Sequence, residues 1–496
     1  MDSGFAEGTR RFTSWFQALP GATFHPDIVV EDLRGRGAGR GIIAKADIPA
    51  DTVLFTIPRS AILCAATSAL RDKIPDVFDL EGDHGAGHSD SGDEDGAASS
   101  SSQDSWTLLI LVLIYEHLQG EASRWRPYLD VLPPTFDTPM FWSPTELSEL
   151  QASALVAKVG RAEADRMIEA KVLPVIRAHE EVFFPPGRAK LDDAQLFELA
   201  HRMGSTIMAY AFDLENDDSD NDEADEDDEW VEDREGRTML GMVPMADMLN
   251  ADAEFNAHIN HGDDALTATA LRPIRAGDEI LNYYGPLPNG ELLRRYGYVT
   301  PKHSRYDVVE LPWELVEAEL KGRVGTHWTA SEWDKVRELV RADDDFEGSF
   351  VLERSSADPD STGQLSGDAV FAGLPDELGE QFKAFLKAAK KVANSEIAAR
   401  AASDKEMRKE LYLQAVLAAL QARERQYATS LEDDRQLMDA GNLTGRQEMA
   451  VCVRIGEKVL LREAQSWVRR ELDELQSQAS RTTREDDAPA VKRRRV

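Results

Sequence analysis

With 496 residues, the chain exceeds the roughly 250 to 300 residues at which a single hydrophobic core stops growing, so two or more domains are expected. Its formal charge of -35, from 91 acidic and 56 basic residues, disfavours direct contact with nucleic-acid phosphate or an anionic membrane and suits a basic partner. Two cysteines, Cys64 and Cys452, exclude a disulfide framework and a thiolate zinc cluster, and fit a reduced intracellular compartment.

No basic segment followed by an apolar run opens the chain, so no secretory signal is expected. The first element is a short helix around Phe12, Trp15, Phe16 and Leu19, ended by Pro20-Gly21. Gly35 to Gly41 follow. Then Ile42 to Pro58 places β-branched residues on both sides of a Pro-Ala-Asp turn, which predicts two short strands closing as a hairpin. A nucleotide-phosphate loop follows a strand and opens a helix, whereas these glycines precede a strand, and the Lys-Ser/Thr pair of a P-loop is absent. Nucleotide-phosphate binding is excluded. The glycines form either a flexible turn or a backbone platform lying close against a ligand.

Residues 81–104 are Gly, Ser, Asp and His in low-complexity order and are expected to be disordered, with His84 and His88 solvated. The longest apolar run, Trp106 to Tyr115, falls short of the roughly 20 residues of a membrane span. It predicts a buried helix with Ser105 as N-cap, closing near Gly120. Trp125 to Leu129 and Leu132-Pro133-Pro134 read as a packing corner. Apolar residues recur at helical spacing from Pro144 to His179 and from Leu191 to Phe212, a helical layer. From Asp213 to Glu235 fifteen Asp or Glu stand against one Arg. The block is either a solvated loop or a field that steers a basic substrate.

Leu266 to Leu271 and Ile274 to Leu281 then predict strands, and the second echoes Ile48 to Leu54. Two similar hairpins would thus bracket the helical layer, and the β part would be one domain made of separated pieces. Thr300 to Gly373 is poorly patterned, with a loop over Ser355 to Asp368. From Asp376 the spacing is helical through Trp467 to Leu475. The tail from Gln476 ends in Lys492-Arg493-Arg494-Arg495, a run similar to a nuclear localisation signal.

In this order the pieces resemble a SET-domain protein lysine methyltransferase. The branch is the one that includes the Rubisco large-subunit methyltransferase, the animal SET-domain-containing protein six and the fungal ribosomal lysine methyltransferase four. The residues that carry the resemblance are Gly39-Arg40-Gly41, the segment Pro244 to Asn250, Tyr284-Gly285-Pro286 with Asn289, Glu291 to Leu293, and Tyr296-Gly297-Tyr298. Tyr427 to Asp434 and Arg454 to Leu460 extend it into the C-terminal half. Each motif alone is weak, and the ordered set is specific.

The resemblance implies an α+β fold: a β-rich, pseudoknotted SET domain, split by an inserted helical layer and followed by an all-helical substrate-binding domain. The implied pieces are 1–80 (N-terminal SET part), 81–104 (loop), 105–212 (helical insert), 213–236 (acidic loop), 237–300 (C-terminal SET part), 301–475 (substrate-binding domain) and 476–496 (tail). It implies S-adenosylmethionine as cofactor and no metal. Tyr284 would be the catalytic hydroxyl. Ala38, Gly39, Arg40, Asn250, Ala251 and Tyr296 would hold the cofactor, and Phe212, Asp247, Tyr283, Tyr284 and Tyr296 the substrate lysine. Two residues depart from the family. Ala251 stands where most members have His, a position used through its backbone, and Met208 replaces an arginine near the cofactor carboxylate.

Methyl transfer from a sulfonium to an amine is an in-line displacement, so the task is alignment and exclusion of water. Free lysine has a pKa of about 10.4, and an apolar channel depresses it. Aromatic walls with oxygens aimed at the methyl suit that task. The fungal branch implies as substrate a basic zinc-ribbon protein of the large ribosomal subunit. Charge, hydropathy and the basic run lead us to expect a monomer of the nucleus, or of nucleus and cytoplasm, that binds neither nucleic acid nor membrane. Histone or transcription-factor lysines, or an inactive module that binds basic proteins, are the alternatives.

Overall fold

The computed structural model describes residues 3–78, 100–215, 238–393 and 395–486. Residues 81–99 with both loop histidines, the acidic run over 216–237 and the basic tail from 487 lie outside them. The strands of the β part are β1 (Thr23–Phe24), β2 (Ile28–Asp32), β3 (Arg40–Ala44), β4 (Val53–Pro58), β5 (Leu63–Cys64), β6 (Ala211–Glu215), β7 (Thr238–Met242), β8 (Asn250–Ala251), β9 (Ala257–His261), β10 (Ala265–Ala270) and β11 (Glu279–Asn282). They form three sheets, ordered β1-β4-β10-β9, β2-β3-β11-β8 and β5-β7-β6.

Neither expected hairpin forms. β3 pairs with β2 and β11, whereas β4 pairs with β1 and β10. The link between β3 and β4 is too long for a tight hairpin turn. Instead the two echoing segments are each other's partners. Ile48 and Ile274 exchange backbone hydrogen bonds of 2.8 and 2.9 Å, so each chain passes from one sheet to the other at the same point. Asp51 (φ 62°) and Gly277 (φ 89°) turn the two links through the left-handed region. The pairing that builds the site is the parallel one: β8 lies against β11 with Asn250 opposite Leu281 and Ala251 opposite Asn282.

Between β5 and β6 the described residues are mainly helical. The Ser100–Gln119 helix starts before the expected cap, so Ser105 lies within it. Its centre, Leu109 to Ile114, is buried all round, the pattern of a helix enclosed by protein. The Asp193–Tyr210 helix starts at a capping box in which Asp192 and Gln195 satisfy each other's backbone. It ends at Tyr210, and Phe212, expected on it, is on β6.

The C-terminal domain is helical and has its own core around Trp313, Phe350, Phe382 and Phe385. The stretch expected to be poorly patterned holds the Trp313–Val324 and Ala330–Arg341 helices and the β12 (Val309–Pro312) and β13 (Ser349–Leu352) ladder. Trp313, Val316, Leu320 and Val324 are buried at helical spacing, but interleaved charges hide the stripe. The last helix runs from Gly445 to Asp486, well past Leu475, and carries Arg454 and Lys458 into the domain interior.

Candidate functional site

The backbone at the start of β3 and the side chain of Asn250 meet across 210 residues of sequence. Asn250 Nδ2 donates to Arg40 O (3.1 Å) and to Glu279 Oε1 (2.7 Å). A Cβ at Gly41 would collide with Leu33 Cδ1 and stand 2.8 Å from both Asn250 Nδ2 and Glu279 Oε1. Glycine is therefore required there by close packing. At Gly39 an added Cβ would meet nothing within 4 Å, so the turn at Gly39 faces open space. The Arg40 side chain leaves the site: its guanidinium donates to Val131 O (2.8 Å) and Thr9 Oγ1 (3.0 Å) and lies 3.8 Å from the Phe5 ring centroid. Arg40 thus offers the site only its main chain and clasps the N-terminal helix with its side chain.

Tyr284 and Tyr296 stack with ring centroids 4.7 Å apart and planes at 26°. Tyr284 follows β11, and Gly285 (φ 99°) turns the chain just after it. Tyr296 ends the Asn289–Tyr296 helix, closed by Gly297 at φ 77°. The Tyr284 hydroxyl donates to Leu249 O at 3.1 Å, next to Asn250. Tyr298 extends the array, its ring 6.1 Å from that of Tyr296 and its hydroxyl 3.5 Å from Ala251 O. Burial holds the Tyr284 phenol well above its usual pKa, with the neighbouring tyrosines adding to the shift. It is a neutral hydrogen-bonding group at pH 7 and not a phenolate base.

Asp247 lies on a 3-10 turn, Ala246–Met248, entered through Met245 at φ 82°. A bulky side chain rarely adopts that conformation, and such strain persists only where surrounding packing imposes it. Asp247 Oδ2 accepts a 2.5 Å hydrogen bond from Tyr128 Oη, and its Oδ1 has no partner among the described residues. Burial pushes this carboxyl up to about 7, partly opposed by the Tyr128 bond and by backbone contacts from Met245 and its own amide. Tyr210, at the end of its helix, is pushed up to about 12 by burial and then by the Asp247 charge. Tyr128, Tyr210, Asp247 and Tyr284 therefore share one buried neighbourhood.

Asn250, Ala251, Tyr284 and Tyr296 thus come together with the main chain of Arg40. Two residues expected at the lysine do not join them. Tyr283 stacks on Phe255 at 4.7 Å and 17°, because neighbouring residues of an extended chain face opposite ways. Phe212 lies in the β6–β7 ladder with its ring 6.4 Å from that of His261; the helix before it ends at Tyr210, and that ring reaches the cluster. Tyr128, Tyr210 and Tyr298 had no site role assigned from the sequence. Only Tyr298 carried a signal, its place in Tyr-Gly-Tyr. Met208 lies on the wall of a cavity of about 500 Å³ with Trp106, Ser205 and Arg294, which contains neither Asn250 nor Tyr284. Among the described residues no group of three His, Cys, Asp or Glu could hold a metal ion.

The SET domain family matches residues 39–285, and the Rubisco LSMT substrate-binding family matches residues 374–461. Ribosomal lysine N-methyltransferase 4 of Saccharomyces cerevisiae is 32% identical over 64% of this chain and 60% of its own length. N-lysine methyltransferase SETD6 of Homo sapiens is 28% identical over 89% of this chain and 87% of its own. Among solved structures, the SET domain of LSMT bound to lysine and AdoHcy superposes with a TM-score of 0.59 at 20% identity, covering 95% of this chain and 92% of that one. Rubisco LSMT bound to AdoMet gives 0.58 at 20% identity, covering 94% and 93%. At that identity the structural likeness is one of fold.

Proposed function

The chain belongs to the SET-domain protein lysine methyltransferases that carry a Rubisco LSMT substrate-binding domain, and we propose that its substrate is a lysine of a basic protein of the large ribosomal subunit. The observation that carries the site reading is the Tyr284–Tyr296 stack, whose Tyr284 hydroxyl is bonded beside Asn250. The ribosomal reading is supported by the name of the yeast relative and by a charge of -35, which attracts basic proteins.

The residues fit S-adenosylmethionine. Gly41 and the open turn at Gly39 let main chain approach a ligand, and Asn250 offers an amide beside the Ala251 backbone. When bound, the cofactor supplies a methyl group on a sulfonium. In this reading Asn250, Ala251 and the main chain of Ala38 to Arg40 orient it, while Tyr284 and Tyr296 enclose the lysine amine and exclude water. The neutral Tyr284 hydroxyl gives an oxygen to the polarised methyl. Because that phenol is held protonated, the ammonium proton of the lysine does not pass to Tyr284. A nuclear site of action is also part of the proposal, supported by Lys492 to Arg495.

The deciding experiment is mass spectrometry of large-subunit ribosomal proteins from cells with and without the gene, followed by transfer of a labelled methyl group in vitro. Loss of one methyl-lysine peptide, restored by the purified chain, is the expected result. An unchanged set of ribosomal peptides overturns the substrate reading and leaves the family assignment standing.

A further inference from the structure

A second cavity, of about 440 Å³, opens between the end of the Ser100–Gln119 helix, the Asp193–Tyr210 helix and the loop from Pro134 to Phe141. Leu118, Leu199, Phe136 and Phe141 make its walls apolar, and the two phenylalanine rings stack at 6.0 Å. Arg188 and Arg202 also line it. Neither of these is ion-paired among the described residues. The half-buried Arg202 donates to His117 Nε2 at 3.2 Å, a contact that requires a neutral imidazole. Burial, and then the charges of Arg202 and Arg188, push His117 down to about 4, which places all three groups close together.

The remaining charges around the cavity do not complete the set. Arg446 is already engaged by Asp137 and Glu146, and Arg126 by Asp130. Glu198, on the same helix as Arg202, lines the exposed side and acts on it only as a nearby charge. The carbonyl end of the Ser100–Gln119 helix accounts for Arg188, whose Nη1 lies over Gly120. Nothing comparable accounts for Arg202, a desolvated cation whose one partner is uncharged.

We infer that this cavity binds a small organic anion, its phosphate or carboxylate head between Arg188 and Arg202 and an apolar ring against Phe136, Phe141 and Leu199. Paired guanidiniums suit such heads through charge-assisted, bidentate hydrogen bonds. The cavity also abuts the catalytic side of the molecule. A Cβ at Gly297 would lie 3.1 Å from Asp137 C and Thr138 N, so the loop that walls the cavity presses on the turn beside Tyr296. An effect on turnover rests on the methyltransferase reading; the binding itself does not.

The test is isothermal titration of the full chain with phenyl phosphate, benzoate and neutral benzyl alcohol. Saturable binding of at least one anion with one-to-one stoichiometry is expected, weakened about tenfold or more in Arg202→Gln, reduced by salt, and absent for the alcohol. Preference between the two anions identifies the head group. No saturable binding of either anion, or equal affinity in a folded Arg202→Gln, overturns the inference. If that variant does not fold, phenylglyoxal labelling of the wild-type chain decides. Phenyl phosphate is expected to protect Arg202 and Arg188 but not the exposed Arg10; equal labelling with and without it overturns the site.

Discussion

Asp434 and Asp247 are two aspartates shut away from water, 0% and 7% exposed, and burial has opposite outcomes for them. Around Asp434, Arg454 Nη2 (2.8 Å) and Thr429 Oγ1 (2.7 Å) donate to one oxygen and Lys458 Nζ to the other. Burial pulls its pKa up, but these bonds outweigh it and hold the carboxyl below its ordinary value. Asp247 has one side-chain partner, a phenol, supplemented only by backbone contacts from Met245 and its own amide, and rises to about 7. The first cluster is complete. It ties the C-terminal domain to the helical insert, because Arg454 also donates to Glu149 O, and Gln151 Nε2 donates to Thr429 Oγ1. The second is left with unmet bonding capacity, as expected where a ligand completes the set.

The contrast breaks most visibly at Asp434. Asp434→Ala strands two cations, Arg454 and Lys458, in the interior, and removing one side of a buried charge network costs about 3–5 kcal/mol. Urea denaturation followed by tryptophan fluorescence should show a loss of that size. A loss below about 1 kcal/mol would mean that the cluster does not hold the domain. Asp247→Ala removes a weaker set of contacts and should cost less.

At Asp247 the larger effect is on pH dependence. Its native pKa lies above the unfolded value of 3.8, so between those values the native state binds the proton more strongly. Stability contributed by the protonated form is full below about 3.8 and is lost as pH rises towards 7, by an amount on the order of 2–4 kcal/mol. Asp307, also raised to about 7 by burial, contributes in the same direction. Asp247→Asn keeps an acceptor for Tyr128 and abolishes only its own share. Unfolding at pH 5 and pH 8 should therefore differ less in the variant than in the parent chain, and identical slopes would remove Asp247 from the titrating set.

The fold class was legible in the sequence, but the strand partners were not. Alternation located β3, β4, β10 and β11, but it names no partners, and the segments expected to fold on themselves pair with one another. Gly39 to Gly41, Asn250, Tyr284 and Tyr296 were legible because their motifs are local and ordered. Tyr128 was not, since its bond to Asp247 spans 119 residues. Neither was the choice between Tyr283 and Tyr284, because an extended chain turns only one of two adjacent rings to a given side. The Trp313–Val324 helix was obscured by Glu314, Glu319 and Lys321 set between its buried residues and by Glu317 buried among them.

Two substitutions sharpen the functional side of the comparison. Tyr284→Phe removes one neutral hydrogen bond to Leu249 O, a stability change of about 1 kcal/mol. Methyl transfer should fall far more, about tenfold to a hundredfold in kcat. A large loss of stability with unchanged kcat would make Tyr284 a packing residue like the Asp434 cluster.

The smallest expected effect comes from the glycine turn. Gly41→Ala drives a methyl group into Leu33, Asn250 and Glu279, and such overpacking costs about 1–3 kcal/mol, so its loss of activity cannot be separated from its loss of stability. Gly39→Ala meets no atom within 4 Å and should leave stability within about 0.5 kcal/mol. If the main chain there lies against the cofactor, the added methyl group must raise the dissociation constant for S-adenosylmethionine in a chain that melts normally. Unchanged cofactor affinity in Gly39→Ala would confine the platform to Arg40 and Asn250, and the open turn would be only a turn.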